Sequence, residues 1–380
     1  MPWTTTTVMD ERTTFITSAL DKDANIRSLC REYGISSATA YKWLARYRDG
    51  GTSALSDRSR RPHHSPGSST SVQIEAIISL RAQHPAWGAR KISTCLKRQG
   101  IIPPAASTIT RILRRHGLID IAETQKHQAW KRFVHEKPND LWQMDFKGDV
   151  ALALEKGRCH PLTVLDDHSR FSLGLVACAN QQTVTVRGAL TAIFRSYGLP
   201  IRMTMDNGSP WGNTKENPYT ALTVWLMRLG IRISHSRPYH PQTQGKDERF
   251  HRTLKAEVLS RTVLTDLHDA QQQFDRWRSI YNTERPHEAL GMDVPAQRYQ
   301  ESAQIFPELI LPIEYPDGAH VRSVQLDGAF SLSGRTAYVS KAFAGWKIAI
   351  IETEDDGYFD VYFCQNKIST LNFHELARTE

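Results

Sequence analysis

Three acidic residues sit in three differently patterned segments of this chain, and they restrict its fold more than any other feature. Asp145 lies in Leu141-Trp142-Gln143-Met144-Asp145-Phe146, a short run suited to a strand. Asp206 directly follows a second such run, Ile201-Arg202-Met203-Thr204-Met205, which stops at Asp206-Asn207-Gly208. Glu248 falls just after Pro241 and Gly245, where a loop gives way to a helix. Between the first two acids, residues 161–170 and 171–176 read as strands joined by a turn at Asp166 to Arg170, and about Val184 to Tyr197 as a helix. Three strands in hairpin order, a helix and a further strand predict an α/β core, here over 138–300, with a mixed five-stranded sheet and helices.

This order is that of an RNase H-like core, which places the strands of Asp145 and Asp206 side by side. Magnesium wants oxygen ligands in octahedral geometry, supplied by a few carboxylates, water and phosphate oxygens. Two such ions roughly 3.5–4 Å apart suit in-line displacement at phosphorus, which calls for a third carboxylate nearby. Glu248 offers one, with Glu216, whose neighbours are polar loop residues, as its rival. A helix from Gly245 would put Glu248, Arg252 and Lys255 on one face, a metal ligand beside basic groups for DNA. Asp247, about 100° round the helix, should point elsewhere. The competing reading for each acid alone is a solvated turn residue. His240 could touch the reacting region or cap a loop.

Charge singles out the first third. Residues 1–135 hold 21 Lys and Arg against 10 Asp and Glu, whereas the rest holds 27 against 30, so the net charge of +8 originates there. A local positive field suits a polyanion, because each neutralised phosphate releases counterions; a solubilising surface is the bland alternative. Phe15, Ile16, Ala19 and Leu20 fall at helical spacing, as do Ile26, Leu29, Cys30 and Tyr33, which precede Gly34. A third helix carries Tyr41, Trp43, Leu44 and Tyr47, with Ser36 or Ser37 as its cap and Gly50-Gly51 as its end. This pattern predicts a helix-turn-helix DNA-binding unit over 1–55, with Thr39, Lys42 and Arg46 on the outer face of the recognition helix. A basic linker follows over 56–71, exposed from Leu55 onward, in which Arg58, Arg60 and Arg61 could track a phosphate backbone. A second helix-turn-helix is expected over 72–122, its last helix capped by Ser107 and Thr108 and charged by Arg111, Arg114 and Arg115. A connector over 123–137 leads to the core.

From about Glu314 short alternating segments separated by Gly and Asp turns predict a small all-β barrel over 315–375. Five scattered cysteines without CxxC spacing imply a reduced compartment and no structural zinc. No apolar run is long enough for a membrane helix and the amino terminus lacks a signal layout, so the expected location is the cytoplasm, at the nucleoid.

Residues 142–145, 206–208 and 241–255 resemble the three acidic motifs of integrase-core transposases, the superfamily of bacterial insertion sequences and retroviral integrases. Lys255, seven residues after Glu248, matches the insertion-sequence branch, and residues 281–291 resemble the stretch that closes these cores. The resemblance covers about residues 10–300, and the tail is similar to the superfamily's SH3-like carboxy-terminal domains. Departures are the 41 residues between Asp206 and Glu248, a longer spacing than usual, and Gln244 and Asp247 where Asn and Val are common. The zinc-binding amino-terminal domain of retroviral integrases is absent. The resemblance implies a DDE transposase in which Asp145, Asp206 and Glu248 are both catalytic residues and metal ligands for two Mg2+ ions, replaceable by Mn2+. It further implies cleavage of the element end, transfer of the freed 3′-OH to target DNA, and a homodimer or larger assembly on double-stranded DNA at terminal inverted repeats. Lys246, Arg249, Arg252 and Lys255 would be the DNA contacts of the core. Asp166, His168 and Arg170 resemble the second-strand turn and read as structural or DNA-facing. Two rival functions remain at this point: a DNA-binding regulator with a disabled core, and an RNase H-like nuclease that only hydrolyses.

Overall fold

The structure, a computed structural model, describes residues 6–59, 67–119, 135–154, 157–212, 218–235 and 245–378. Two compact units emerge, Met1–Ser68 and Ser69–Glu380.

The first unit contains α1 (Val8–Ala19), α2 (Ile26–Glu32) and α3 (Ser37–Gly50). Ser36 caps α3, its hydroxyl accepting from the Thr39 N–H at 3.2 Å. Phe15, Ile16, Cys30, Trp43 and Leu44 form the core. Two expectations fail here. Tyr41 is 61% exposed, and Ala40 takes the inward place because 40, 43 and 44 share one helix face. Leu55, read as linker, is fully buried at the end of a 3-10 turn (Gly51–Leu55), where Arg12 donates to its carbonyl at 2.9 Å.

The second unit opens with α4 (Ser71–Gln83), α5 (Ala89–Arg98) and α6 (Ala106–Arg115), packed around Ile77, Trp87, Ile92, Leu96, Ile109 and Leu113. The expected cap of α6 is a correction: Ala105 holds the cap position, and Ser107 and Thr108 lie inside the first turn. The chain becomes helical directly after Pro103-Pro104-Ala105, before either hydroxyl can take the capping place.

The sheet comprises β1 (Leu141–Phe146), β2 (Val150–Ala151), β3 (Arg158–Asp166), β4 (Ser172–Cys178), β5 (Arg202–Met205) and β6 (Arg232–His235). Its five main strands run in the order β4-β3-β1-β5-β6, with the two-residue β2 as a sixth on β3. β1, β3 and β4 pair antiparallel, whereas β1, β5 and β6 pair parallel. Helices cover both faces, which explains why β3 and β4 read as buried runs rather than alternations. On one face α7 (Thr183–Tyr197) and α8 (Ala221–Arg228) pack on Trp142, Met144 and Met203. On the other, α9 (Gly245–Leu254) and α10 (Leu267–Thr283) bury Phe250, Leu254, Phe274 and Trp277 against Leu165 and Leu175. Since successive strand residues alternate faces, Asp145 points to the side of α9, opposite Trp142 and Met144.

Two antiparallel sheets, ordered β12-β11-β10-β7 and β13-β9-β8, make up the carboxy-terminal region. Their strands are β7 (His320–Ser323), β8 (Ala329–Leu332), β9 (Arg335–Tyr338), β10 (Lys347–Glu352), β11 (Tyr358–Phe363), β12 (Asn366–Asn372) and β13 (Ala377–Arg378). Its core of Phe330, Phe343, Ile348, Ile350 and Phe363 includes Val224 and Met227 of α8, so this region is seated on the α/β core. Among the described residues no helix is long and apolar enough to cross a membrane.

Candidate active site

The parallel pairing of β1 with β5 matches Leu141 to Arg202, Trp142 to Met203 and Gln143 to Thr204. Continued by two residues, the same register sets Asp145 level with Asp206, on strands spaced about 4.8 Å apart. Both carboxylates thus stand together at the carboxyl ends of β1 and β5. Asp145 shows the consequence: burial, then the neighbouring Asp206, push its carboxyl from 3.8 up to about 6. Its Oδ1 accepts from the Phe146 N–H at 2.8 Å. Asp206 closes a tight turn, accepting from the Gly208 N–H at 3.0 Å; a Cβ at 208 would stand 3.3 Å from its Oδ2, which favours glycine there.

A buried relay holds Asp145 from behind. The Thr163 hydroxyl donates to the Asp145 carbonyl at 2.9 Å and lies 2.9 Å from His251 Nε2. With the hydroxyl proton already committed, His251 must donate through Nε2, which turns its Nδ1 lone pair toward Asp145 Oδ2, 3.9 Å away. Burial, then Lys147, pull His251 down to about 4, so the ring is neutral at pH 7.

The turn after β3 is structural. Asp166 is fully buried and accepts from the Asn139 N–H at 2.8 Å and from Ser169 Oγ at 2.6 Å. His168 Nδ1 donates to the His135 carbonyl at 2.8 Å. Asp167 accepts from Gln143 at 2.8 Å and from the Lys246 ammonium. That last contact corrects an expectation: Lys246 was assigned to DNA, but its half-buried side chain turns inward to neutralise Asp167. An ammonium next to a buried carboxylate is held there by the cost of leaving either charge alone.

Helix α9 presents two faces. Glu248, Arg252 and Lys255 are exposed, as is Arg249. Asp247, Phe250, His251 and Leu254 are buried. Asp247 does point away from Glu248, and the direction is into the protein, toward Asp145 and Asp167; burial first, then those two carboxylates, raise its carboxyl well above the usual range. Among the described residues no three His, Cys, Asp or Glu side chains converge closely enough to hold a metal ion. Asp145 and Asp206 are the pair whose strand register sets them level, whereas Glu248 is exposed on α9 and joins no such cluster. The donors available are all carboxylate oxygens, the type a hard divalent cation takes, and a buried Asp247 oxygen has no hydrogen-bond partner among the described residues.

Of the remaining candidates, Thr39 is half-buried in the α3 cap, while Lys42 and Arg46 flank the Trp43 ring at 5.4 and 4.8 Å, joined by Arg12 at 3.9 Å. Arg58, Arg111, Arg114 and Arg115 are exposed. Arg60, Arg61, Glu216 and His240 lie outside the described residues. Sequence reasoning missed Thr163 and His251; the signal for His251 was its spacing, four residues after the inward Asp247.

Comparison with known proteins agrees with this layout. Integrase core domain models match residues 135–241 and 229–295. A helix-turn-helix domain matches 11–63, a homeodomain-like domain 39–113, and an IS481 family transposase C-terminal domain 319–377. An uncharacterized 39.2 kDa protein of insertion element IS476 from Xanthomonas euvesicatoria is 28% identical over 61% of this chain and 66% of its own length. A putative transposase of insertion element IS5376 from Geobacillus stearothermophilus is 23% identical over 66% of this chain and 63% of its own. Transposase InsD of element IS2D from Escherichia coli is 24% identical over 64% and 82%. Less than two thirds of the first two relatives is thus spanned. Among solved structures, a simian T-cell lymphotropic virus intasome chain aligns over 80% of this chain and 99% of its own at 14% identity, with a TM-score of 0.37. The HTLV-2 integrase catalytic core in complex with magnesium aligns over 43% and 99% at 14% identity, with a TM-score of 0.33. Neither structural match bears on chemistry.

Proposed function

From a chain that carries an integrase core domain, helix-turn-helix domains before it and an insertion-sequence transposase domain after it, we propose a DDE transposase. In this reading the helical units over 1–55 and 72–122 bind the element ends, and the core over 138–300 cuts and joins DNA strands. The observation that carries it is the register setting Asp145 level with Asp206, together with the rise of Asp145 to about 6. Asp206 stands close enough to oppose the ionisation of Asp145, and a carboxylate pair so placed is suited to share a cation. A carboxyl titrating near neutrality costs little to deprotonate when one arrives.

Asp145 and Asp206 would hold Mg2+, or Mn2+ in its place, with Glu248, exposed on α9, as the third carboxylate of this reading. When bound, a pair of such ions supplies stabilisation of the attacking and leaving oxygens of an in-line displacement at phosphorus. Thr163 holds the Asp145 carbonyl at the strand end, and the neutral His251 donates to Thr163 from behind. Arg252 and Lys255, exposed on the same face as Glu248, would contact the phosphates of the bound strand. Because both element ends must be handled together, the working form in this reading is a dimer or larger.

Joining of labelled element ends to a plasmid tests the proposal. Wild type joins with Mg2+ or Mn2+ and not with Ca2+, while Asp145→Asn binds ends and does not join. Cleavage without any joined product would instead favour the hydrolytic nuclease. Robust joining in chelator would overturn the metal chemistry.

A further inference from the structure

The main chain of Asp206 is held by a side chain from the neighbouring strand. Strands β5 and β6 match residue for residue from Arg202 with Arg232 to Met205 with His235, so Asp206 stands one residue past the last matched pair, where the turn to Gly208 begins. There His235 Nδ1 donates to the Asp206 carbonyl at 2.9 Å. A carbonyl brings no proton, so the ring carries one on Nδ1. Its Nε2 is buried with no hydrogen-bond partner among the described residues, a place that suits the bare lone pair of a neutral ring better than a second N–H. One residue back, Ser234 Oγ donates to the Met203 carbonyl at 3.3 Å and accepts from the Thr204 hydroxyl at 2.6 Å. Those two bonds tie strand to strand, whereas His235 reaches the residue that carries the carboxylate. Asp206 is thus pinned at its carbonyl by His235 and at its Oδ1 by the Gly208 N–H at 3.0 Å. Swinging the carboxylate by a side-chain rotation breaks the second bond, and by a backbone rotation the first. Ile233, on the same face of β6, packs on the apolar core, and an apolar residue at 235 would bury no lone pair. What a donor at that position adds is the bond to Asp206.

We propose that His235 is a positioning residue for strand joining: its Nδ1–H fixes the Asp206 main chain, and with it the direction of the Asp206 carboxylate beside Asp145. The inference rests on the proposed function, in that Asp206 must be one of the acting carboxylates. It needs the ring nitrogen nearer the backbone and makes no use of Nε2, so two amide side chains separate it from a merely structural role. The amide nitrogen of Asn stands where Nδ1 stands, whereas that of Gln stands where Nε2 does.

The test compares His235→Asn, His235→Gln and His235→Ala with wild type and Asp206→Asn, in the full chain and in two assays. One is the rate of joining labelled ends, with end binding measured alongside. The other is titration with Mn2+ alone, without DNA, read by the electron paramagnetic resonance of free Mn2+. Melting temperature checks the fold. The expected result is a loss of about tenfold or more in joining rate and in Mn2+ affinity for the Gln and Ala variants, with end binding kept, and recovery by Asn to within about threefold of wild type in both. Equal performance of Asn and Gln, or losses in Asn as deep as in Ala, would overturn the inference. Misfolding of the Asn variant would overturn it too, and should Ala or Gln misfold, the other stands against Asn. If all three His235 variants matched wild type while Asp206→Asn lost joining and Mn2+, the site reading would survive and His235 would be structural. If Asp206→Asn joined ends and bound Mn2+ like wild type, the site reading would fall and this inference with it.

Discussion

Asp145→Asn should stabilise the protein, and by an amount that depends on pH in a defined way. The wild-type carboxyl titrates at about 6 in the fold against 3.8 for an unperturbed aspartate, because burial and Asp206 oppose its charge. At about 1.4 kcal/mol per pH unit, the folded protein bears about 3 kcal/mol once Asp145 is fully ionised. For a carboxyl raised in the fold, stability is complete below pH 3.8 and is lost as pH rises through 6. An amide cannot ionise, so the gap between variant and wild type should be roughly half of that cost at pH 5, nearly all of it at pH 7, and level above that. The side chain is 26% exposed, which leaves the estimate without a large screening correction. Thermal melts in chelator across pH 5–8, followed by fluorescence of the buried Trp142 and Trp211, read the gap as a rise on the order of 5 °C at pH 8. A variant no more stable than wild type at pH 8, or a gap that narrows as pH rises, would refute the reasoning.

Lys246→Met should cost about 3 kcal/mol in urea denaturation, because it strands the 2%-exposed Asp167 carboxylate, and Asp167→Asn in the same chain should recover part of it. Phe343→Ala should cost about 3–5 kcal/mol and loosen the carboxy-terminal sheets from α8, seen as faster limited proteolysis in the 301–319 segment. Arg252→Ala with Lys255→Ala should leave stability unchanged, since both side chains are exposed, while lowering the magnitude of the salt-dependence slope of DNA binding by about 2.

How much of this was legible in the sequence depends on what each residue's place depends on. The strands of Asp145 and Asp206 could be read because short apolar-rich runs, the second of them ended by Asp-Asn-Gly, are local signals, and hairpin order then fixes which strands are neighbours. The π-turn after Leu254 and the strands β8 and β12 were not, since the first comes from packing, β8 is only four residues long, and the two large apolar residues of β12, Ile368 and Leu371, stand three apart, which is no strand period. Leu55 looked like linker because it follows a Gly-Gly break; its place in the core comes from packing in the cluster of Phe15, Ile16, Trp43 and Leu44, while Arg12, 43 residues away, holds its carbonyl. Lys246 illustrates a limit of motif reading: a basic residue in a DNA-facing motif was assigned to phosphate, whereas its partner, Asp167, is 79 residues distant and visible only once the chain is folded. For α9 the helical spacing correctly separated Glu248 from Asp247, but spacing alone does not say which of the two faces meets the sheet. Phe250 and Leu254 decide that, by their burial against Leu165 and Leu175.

The central claim is that Asp145 and Asp206 together hold a divalent cation. Loading the chain with Fe2+ and triggering hydroxyl-radical cleavage with ascorbate and peroxide maps the protein backbone next to the ion. The account predicts scission within a few residues of Asp145 and of Asp206, suppressed by excess Mg2+ and abolished in Asp206→Asn. Cuts confined to other segments, or an unchanged pattern in Asp206→Asn, would contradict it.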